Sequence, residues 1–184
     1  MYVIGMKYKI FIGLTEIAGY YGNLKKGFQD IGSECTFINL SSHPFQYGGD
    51  DKPNIFVRMY KWSQNQLKKY DNKVLKAPFF TVCYTLKIAI FIWALYHYDI
   101  FIFGNGKSFF NNLDLPILKF FNKKIIVTFN GSDGRPPYIN GARRKFMLED
   151  YKNKSQKIKS NIVAIEKFAD AIINGTMDEV HIET

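Results

Sequence analysis

Cysteine, histidine and acidic residues are all scarce in this 184-residue sequence. The two cysteines, Cys35 and Cys83, form neither a disulfide framework nor a CxxC metal motif, which favours a reducing compartment and two packed thiols. The three histidines are isolated from one another, so no metal site is predicted. No signal peptide is predicted either, because Lys7 and Lys9 interrupt the short N-terminal apolar run. We therefore expect a cytoplasmic protein.

The shortage of acidic residues leaves a net charge of +9. Such a charge favours a negatively charged partner, which could be phosphate, an anionic membrane face or nucleic acid. Nucleic acid is the weakest of the three, because no RNP, KH, zinc-finger or helix-turn-helix pattern occurs. The aromatic residues also fall mostly in predicted strands and core helices. We predict no nucleic-acid partner.

Apolar runs that end in glycine or asparagine alternate with helical patterns along the chain. The predicted strands are Tyr8–Leu14, Cys35–Leu40, Asp99–Phe103, Ile125–Phe129 and Asp170–Asn174. The predicted helices are Gly19–Ile31, Leu113–Phe121 and Ala142–Phe168, with further helix within Asn54–Lys76 and Ala77–Tyr98. This order predicts one Rossmann-like α/β domain over 1–184, with a mainly parallel sheet and helices on both faces.

Two segments between the second and third predicted strands have unusual compositions. Asn54–Lys76 is basic and contains Trp62 and Tyr70 among its lysines, which indicates either a solvated helical face or an anionic membrane contact. Ala77–Tyr98 has Lys87 as its one formally charged residue and is long enough to span a membrane. A span would separate strands of one sheet, so we expect a buried crossover helix there.

The predicted strand Ile125–Phe129 runs into the polar loop Asn130–Pro137, which contains glycines, a carboxylate, a guanidinium and a proline pair. Ligands of open α/β sheets bind beyond the carboxyl ends of the strands, so this loop is a candidate site. A surface Asx-turn in which Asp133 pairs with Arg135 explains the same residues equally well.

Two other predicted strands also end in glycine-bearing loops. Gly19 and Gly22 stand at the entrance of the first helix, where free N–H groups attract an anion, although close packing of the helix explains them as well. The third strand is followed by the stretch Gly104–Ser108, which reads GNGKS. The Walker spacing requires a glycine where Phe101 stands, so no P-loop is predicted.

Four stretches are similar to the N-terminal half of GT-B glycosyltransferases, in particular to the retaining family that builds bacterial polysaccharides, lipopolysaccharide cores and glycolipids. The first is the opening strand and glycine loop, with the helix end Gly27–Gly32. The second, Tyr98–Gly104, resembles the family's "YDvih" strand, and the third, Val127–Arg135, is close to its "vtfHGsD.R". The fourth, Phe168–Gly175, resembles its "aDaii" strand. The four stretches follow the family's order and span nearly the whole chain.

The resemblance implies one half of a GT-B architecture, in which an acceptor-binding domain faces a second Rossmann-like domain that binds the nucleotide-sugar. That second domain is absent from these 184 residues. We therefore expect a hexosyltransferase-type enzyme in which this chain carries no cofactor and is inactive without a donor-binding domain or partner chain. The implied acceptor is a glycan or a lipid-linked sugar of surface polysaccharide biosynthesis. An anionic membrane surface, at the inner face of the cell membrane, is a further expected partner.

The resemblance and the strand-end positions together select the candidate site residues. The candidate catalytic residues are Asn130, Asp133 and Glu16. Asn130 stands where the family often has histidine, and its amide can position charge but cannot take a proton. Arg135 either binds an acceptor phosphate in bidentate fashion or pairs with Asp133. The candidate substrate-binding residues are Gly19, Gly104, Asn105, Gly131, Ser132 and Arg135.

A non-catalytic function is the alternative prediction. A stand-alone anion-binding or scaffold module, in the form of a truncated or degenerate transferase that recruits a partner chain, explains the same charge and glycine pattern.

Overall fold

The computed structural model describes residues 8–41, 54–131, 134 and 148–174. Five strands and five helices are described along these residues, and they alternate except where two helices follow each other after the second strand. They are β1 (Lys9–Leu14), α1 (Tyr20–Asp30), β2 (Glu34–Asn39), α2 (Ile55–Lys69), α3 (Lys73–His97), β3 (Ile100–Gly104), α4 (Leu115–Phe120), β4 (Lys124–Phe129), α5 (Leu148–Glu166) and β5 (Ala171–Asn174).

The five strands form one parallel sheet in the order β2-β1-β3-β4-β5. In its described register, Lys9 lies opposite Glu34 at the start of the β1–β2 pair, and Ile126 lies opposite Ala171 in the β4–β5 pair. Parallel neighbours require crossover connections, and helices supply them here. The predicted α/β class with a Rossmann-like parallel sheet is confirmed.

The chain divides into two compact units, Met1–Phe101 and Ile102–Thr184. In the first unit the core is strongly aromatic. Phe11 is fully buried and contacts Tyr98 and Phe101 with ring centroids 5.5 and 5.4 Å apart. Tyr21 of α1 stacks on Phe37 of β2, which fixes α1 against this part of the sheet. The prediction of a single domain over 1–184 stays a prediction.

Helices α2 and α3 follow β2 and pack against each other. Each begins at an asparagine whose side chain accepts a hydrogen bond from the second backbone N–H of the helix, Asn54 from Phe56 and Asn72 from Val74. Between them, the hydroxyl of buried Ser63 lies 2.8 Å from the sulfur of Cys83. Both cysteines are free and buried, as predicted.

The expectation of a buried crossover helix at Ala77–Tyr98 is wrong for its first half. The second half of α3 does supply core residues, for example Ile90 and Ala94. Most of the first half is exposed, and Phe80 retains 65% of its accessible surface. The prediction fails because a helix that is apolar all round does not reveal which of its faces is covered.

The second unit contains a core of buried aromatic rings and a hydrogen-bond network centred on Asp170. Phe103, Phe109 and Phe129 are fully buried. The carboxylate of Asp170 accepts hydrogen bonds from the Ile125 N–H and from the ammonium groups of two lysines. Burial raises the pKa of Asp170, but these three bonds and a lysine charge outweigh it and lower the pKa from 3.8 to about 2.

Candidate functional site

The carboxylate of Glu16 caps the first turn of α1. Its Oε1 accepts hydrogen bonds from the N–H groups of Ile17 at 2.7 Å and Tyr21 at 3.2 Å, and its Oε2 accepts one from the N–H of Gly22 at 3.0 Å. The first N–H groups of a helix have no partner within the helix, and the helix dipole favours negative charge there. Glu16, which is only 8% exposed, therefore occupies the position where an anionic ligand of α1 was expected.

Gly19 is the residue that begins α1, and its backbone conformation explains why it is glycine. Its φ of 83° lies in the left-handed region, and the preceding Ala18 has φ 48°. The Gly19 carbonyl accepts a hydrogen bond from the Asn23 N–H at 3.0 Å. This geometry assigns Glu16 and Gly19 to one capping structure, while their predicted catalytic and substrate-binding roles stay predictions.

The loop after β3 makes a sharp turn at its asparagine–glycine pair. Gly104 ends the strand, and Asn105 and Gly106 both adopt left-handed backbone angles, with φ 58° and 57°. A Cβ on Gly106 would lie 2.6 Å from the ring of Phe129. Asparagine tolerates this backbone region, but at position 106 only glycine fits.

The same loop then folds around the fully buried carboxylate of Asp114. This carboxylate accepts hydrogen bonds from the Ser108 hydroxyl at 2.5 Å and from the N–H groups of Phe109 and Phe110 at 3.0 and 2.9 Å. The Ser108 oxygen in turn accepts a bond from the Asn112 N–H. The GNGKS stretch thus leads into a loop that binds an internal carboxylate.

Asn161 of α5 joins the helix to this loop through two hydrogen bonds. Its Nδ2 donates to the Gly106 carbonyl at 3.1 Å, and its Oδ1 accepts a hydrogen bond from the Asn112 side chain at 2.7 Å. Because one amide bonds two separate points of the loop, the loop and α5 are fixed relative to each other.

The loop and α5 together form the walls of a cavity of about 720 Å³. Among the described residues, no aspartate or glutamate lines it, and Ile158 and Ala164 supply part of its apolar wall. The polar lining includes Ser160, three lysines (Lys107, Lys154, Lys157) and four asparagines (Asn105, Asn111, Asn112, Asn161). The cavity is therefore positively charged and rich in groups that can donate hydrogen bonds.

The loop after β4 is described only at its beginning. Asn130 is half-buried, and the Gly131 carbonyl accepts a hydrogen bond from the Gly134 N–H at 3.1 Å. The predicted site residues Ser132, Asp133 and Arg135 lie outside the described residues. The catalytic role of Asn130 and the choice between site and turn stay open predictions.

The structure thus groups part of the predicted set. Glu16 and Gly19 share the α1 cap in the first unit. In the second unit, Asn105 lines the cavity directly after Gly104, whereas Asn130 and Gly131 are not among the described lining residues. The sequence analysis missed the contributions of α5 and of the loop before α4, namely Asn112, Asp114, Lys154, Lys157 and Asn161.

A usable signal for the missed loop was the asparagine pair at positions 111 and 112. Both residues have left-handed φ, 51° for Asn111 and 74° for Asn112, and asparagine is enriched in this region. The lysines of α5 gave no such signal, because a lysine that lines a cavity and one that faces solvent look alike in a sequence.

Fold and site define a parallel-sheet α/β protein with a basic, amide-lined cavity. Among residues 8–41, 54–131, 134 and 148–174, no group of three or more His, Cys, Asp or Glu could hold a metal ion. The chain matches no protein-family model, no curated protein and no solved structure.

Proposed function

We propose that the chain is the acceptor-binding domain of a glycosyltransferase, which moves a sugar from a nucleotide-sugar to a glycan or lipid-linked acceptor in surface polysaccharide biosynthesis. The observation that carries the proposal is the placement of the four family-like stretches. Each falls on a strand of the parallel sheet, on β1, β3, β4 and β5 in turn, and the first and third extend into polar residues just beyond the strand. This is the end of an open α/β sheet at which ligands bind.

The amide-rich cavity after β3 supports an acceptor of carbohydrate type. Asparagine side chains both donate and accept hydrogen bonds, which suits sugar hydroxyl groups. In this proposal the nucleotide-sugar is bound by a donor-binding domain or partner chain, and Asn130 positions the reacting groups through its amide.

The surface of α2 and α3 supports a location at a membrane. Ile55, Met59 and Trp62 form an exposed stripe on α2 at helical spacing, and Phe80 and Tyr84 continue an exposed stripe on α3. Exposed apolar patches of this kind mark interaction surfaces. Residues 54–97 carry seven basic residues against one acidic residue, so the charge favours an anionic bilayer.

Helix α3 is also long and apolar enough, over Val74–His97, to cross a membrane by length and composition, and a third of its most apolar window is buried. A single crossing would place β2 and β3, which belong to one sheet, on opposite sides of the bilayer. We therefore propose that α2 and α3 lie along the inner face of the membrane.

Vesicle flotation tests the membrane contact. We expect the protein to float with vesicles of phosphatidylglycerol and phosphatidylethanolamine, and Ile55→Ser/Met59→Ser to weaken this binding at least about tenfold through lost apolar burial. Leu113→Ser/Phe120→Ser, which removes two exposed apolar side chains elsewhere, is the matched control and should bind normally. Equal loss in both variants, or a dimer that does not bind vesicles, would contradict the proposal.

Cell-surface glycans test the proposed transferase function. Cells that lack the protein should make a truncated surface glycan, and wild-type protein should restore it. Asn130→Ala should fail to restore it, whereas Asn153→Ala, on the exposed surface of α5, should succeed. Full restoration by Asn130→Ala at normal protein levels would remove Asn130 from the site.

The second candidate, a non-catalytic anion-binding module, is favoured by one observation. The cavity concentrates three lysines without an acidic residue among its described lining. An unchanged surface glycan together with tight anion binding would favour this module over a transferase.

A further inference from the structure

We propose that the cavity between the β3–α4 loop and α5 binds a phosphate-bearing sugar. Lys107, Lys154 and Lys157 would hold the phosphate, and the amides of Asn105 and Asn111 would bind the sugar hydroxyls. The assignment of the ligand as a phosphorylated sugar rests on the proposed function. The assignment of the cavity as an anion site rests on its residues alone.

Three lysines give the cavity its positive charge. Lys154, Lys157 and Asn161 are spaced at i, i+3 and i+7 on α5, which places them on one face of the helix. Lys107 adds a third ammonium group from the loop. A phosphate bound among these lysines would accept charge-assisted hydrogen bonds from them.

Hydrogen bonds hold the loop and α5 in a fixed arrangement around the cavity. Asn161 bonds the Gly106 carbonyl and the Asn112 side chain, and the buried Asp114 carboxylate fixes the loop from within. A side chain at position 106 would clash with the Phe129 ring, so the turn packs closely against β4. The walls are therefore formed before a ligand arrives, which reduces the entropy lost on binding.

The volume of the cavity fits a ligand larger than a single phosphate ion. A volume of about 720 Å³ falls within the range of pockets that bind small organic molecules, roughly 300–1,000 Å³. Inorganic phosphate alone would leave most of this space open. A hexose phosphate supplies both the charge for the lysines and the hydroxyls for the amides.

The phosphate could belong to a soluble sugar phosphate or to a lipid, since both present the same group. Calorimetric titration of the full chain with glucose 1-phosphate, inorganic phosphate and neutral methyl glucoside tests the site, and vesicles containing phosphatidic acid form the lipid arm. We expect glucose 1-phosphate to bind at least about tenfold more tightly than methyl glucoside, because charged hydrogen bonds supply most of the affinity.

Charge-matched variants locate the binding. Lys154→Gln/Lys157→Gln should weaken phosphate binding at least about tenfold, while Lys152→Gln/Lys159→Gln, which removes two exposed lysines outside the cavity lining, should change it less than about twofold. Lys107→Gln serves as a second cavity variant from a different element, and thermal unfolding confirms that each variant is folded.

Three results would overturn the inference. The first is that neither glucose 1-phosphate nor phosphatidic acid vesicles bind in a saturable way. The second is that methyl glucoside binds as tightly as glucose 1-phosphate. The third is that Lys154→Gln/Lys157→Gln and Lys152→Gln/Lys159→Gln lose the same amount of affinity for phosphate. If glucose 1-phosphate does not bind, vesicle binding that phosphatidic acid strengthens over phosphatidylglycerol, and that Lys154→Gln/Lys157→Gln removes, would support the phosphate site and identify a lipid source. Phosphate binding at the cavity without sugar transfer would refute the proposed function and leave the site. Sugar transfer at the wild-type rate by Lys154→Gln/Lys157→Gln would remove the site and leave the function.

Discussion

Replacement of Glu16 by glutamine tests its observed role as a helix cap against its predicted role as a catalytic carboxylate. In the structure its two oxygens accept three backbone hydrogen bonds at the start of α1. Glutamine keeps one acceptor oxygen, but it removes the negative charge and turns an NH₂ group toward backbone N–H donors. We expect Glu16→Gln to lower the free energy of unfolding as a lost cap does.

The magnitude follows from two contributions. Loss of the charge at the helix N-terminus costs about 0.5–1 kcal/mol, and a buried N–H left without an acceptor costs about 1–3 kcal/mol. The expected destabilisation by Glu16→Gln is therefore about 1.5–4 kcal/mol. Glu16→Ala, which removes both acceptor oxygens, should cost about 1 kcal/mol more.

Urea unfolding followed by circular dichroism measures this change, provided the denaturant dependence of the free energy is the same in all variants. Glu34→Gln is the matched control, because Glu34 is half-exposed and pairs with Lys9 at the surface, so its loss should cost less than about 0.5 kcal/mol. Amide exchange of Tyr21 and Gly22 should accelerate only in the Glu16 variants. A change below about 0.5 kcal/mol for Glu16→Gln would refute the capping argument and favour a chemical role for this carboxylate.

Three further predictions concern glycine, pH and thiol reactivity. Gly106→Ala should destabilise the protein by about 2–4 kcal/mol, because position 106 has a left-handed φ and an added methyl group would clash with the buried Phe129 ring. Gly27→Ala is the control: its methyl group would lie in open space on α1 and should stabilise the protein by about 0.5–1 kcal/mol. Equal changes in the free energy of unfolding, measured in urea, would contradict this prediction. Because the folded-state pKa of Asp170 is lowered from 3.8 to about 2, its contribution to stability should be complete above about pH 5 and be lost as the pH falls towards 2. Asp170→Asn should flatten the stability–pH curve in that window, and an unaltered curve would refute the assignment. Burial raises the pKa of Cys35 to about 11, although the charge of Lys25 opposes this shift. At pH 8, iodoacetamide should therefore modify Cys35 at least about a hundredfold more slowly in the folded protein than in the urea-unfolded chain. Equal rates of modification, measured by mass spectrometry, would show that the thiol is accessible.

The sequence was most informative about the strands. An apolar run such as Ile125–Phe129, bounded by lysines and by Asn130, can be buried on both faces only as a central parallel strand, and it forms β4. The class of fold therefore followed from local patterns. The exposure of α3 did not, because an all-apolar helix is equally consistent with a core, a membrane and a docking surface.

The candidate site was predicted less completely, for a physical reason. Strand ends locate loops, so Asn105 was found, but the cavity also depends on Asn161, which is more than fifty residues further along the chain. Asp114 illustrates the same limit: its carboxylate was indistinguishable from a surface group until the loop was seen to fold around it. Convergence of distant side chains is a property of tertiary structure and leaves no mark in local spacing.

Transfer of a radiolabelled sugar from a panel of nucleotide-sugars is the measurement that tests the central claim most directly. The assay uses anionic vesicles that carry lipid-linked acceptor, and it compares the 184-residue chain alone with the chain co-purified with its native partners or remaining domain. The account predicts that label enters the acceptor fraction only when donor-binding protein accompanies the chain. No transfer from any nucleotide-sugar by the co-purified protein would contradict it, and transfer by the chain alone would contradict its assignment as an acceptor-binding domain.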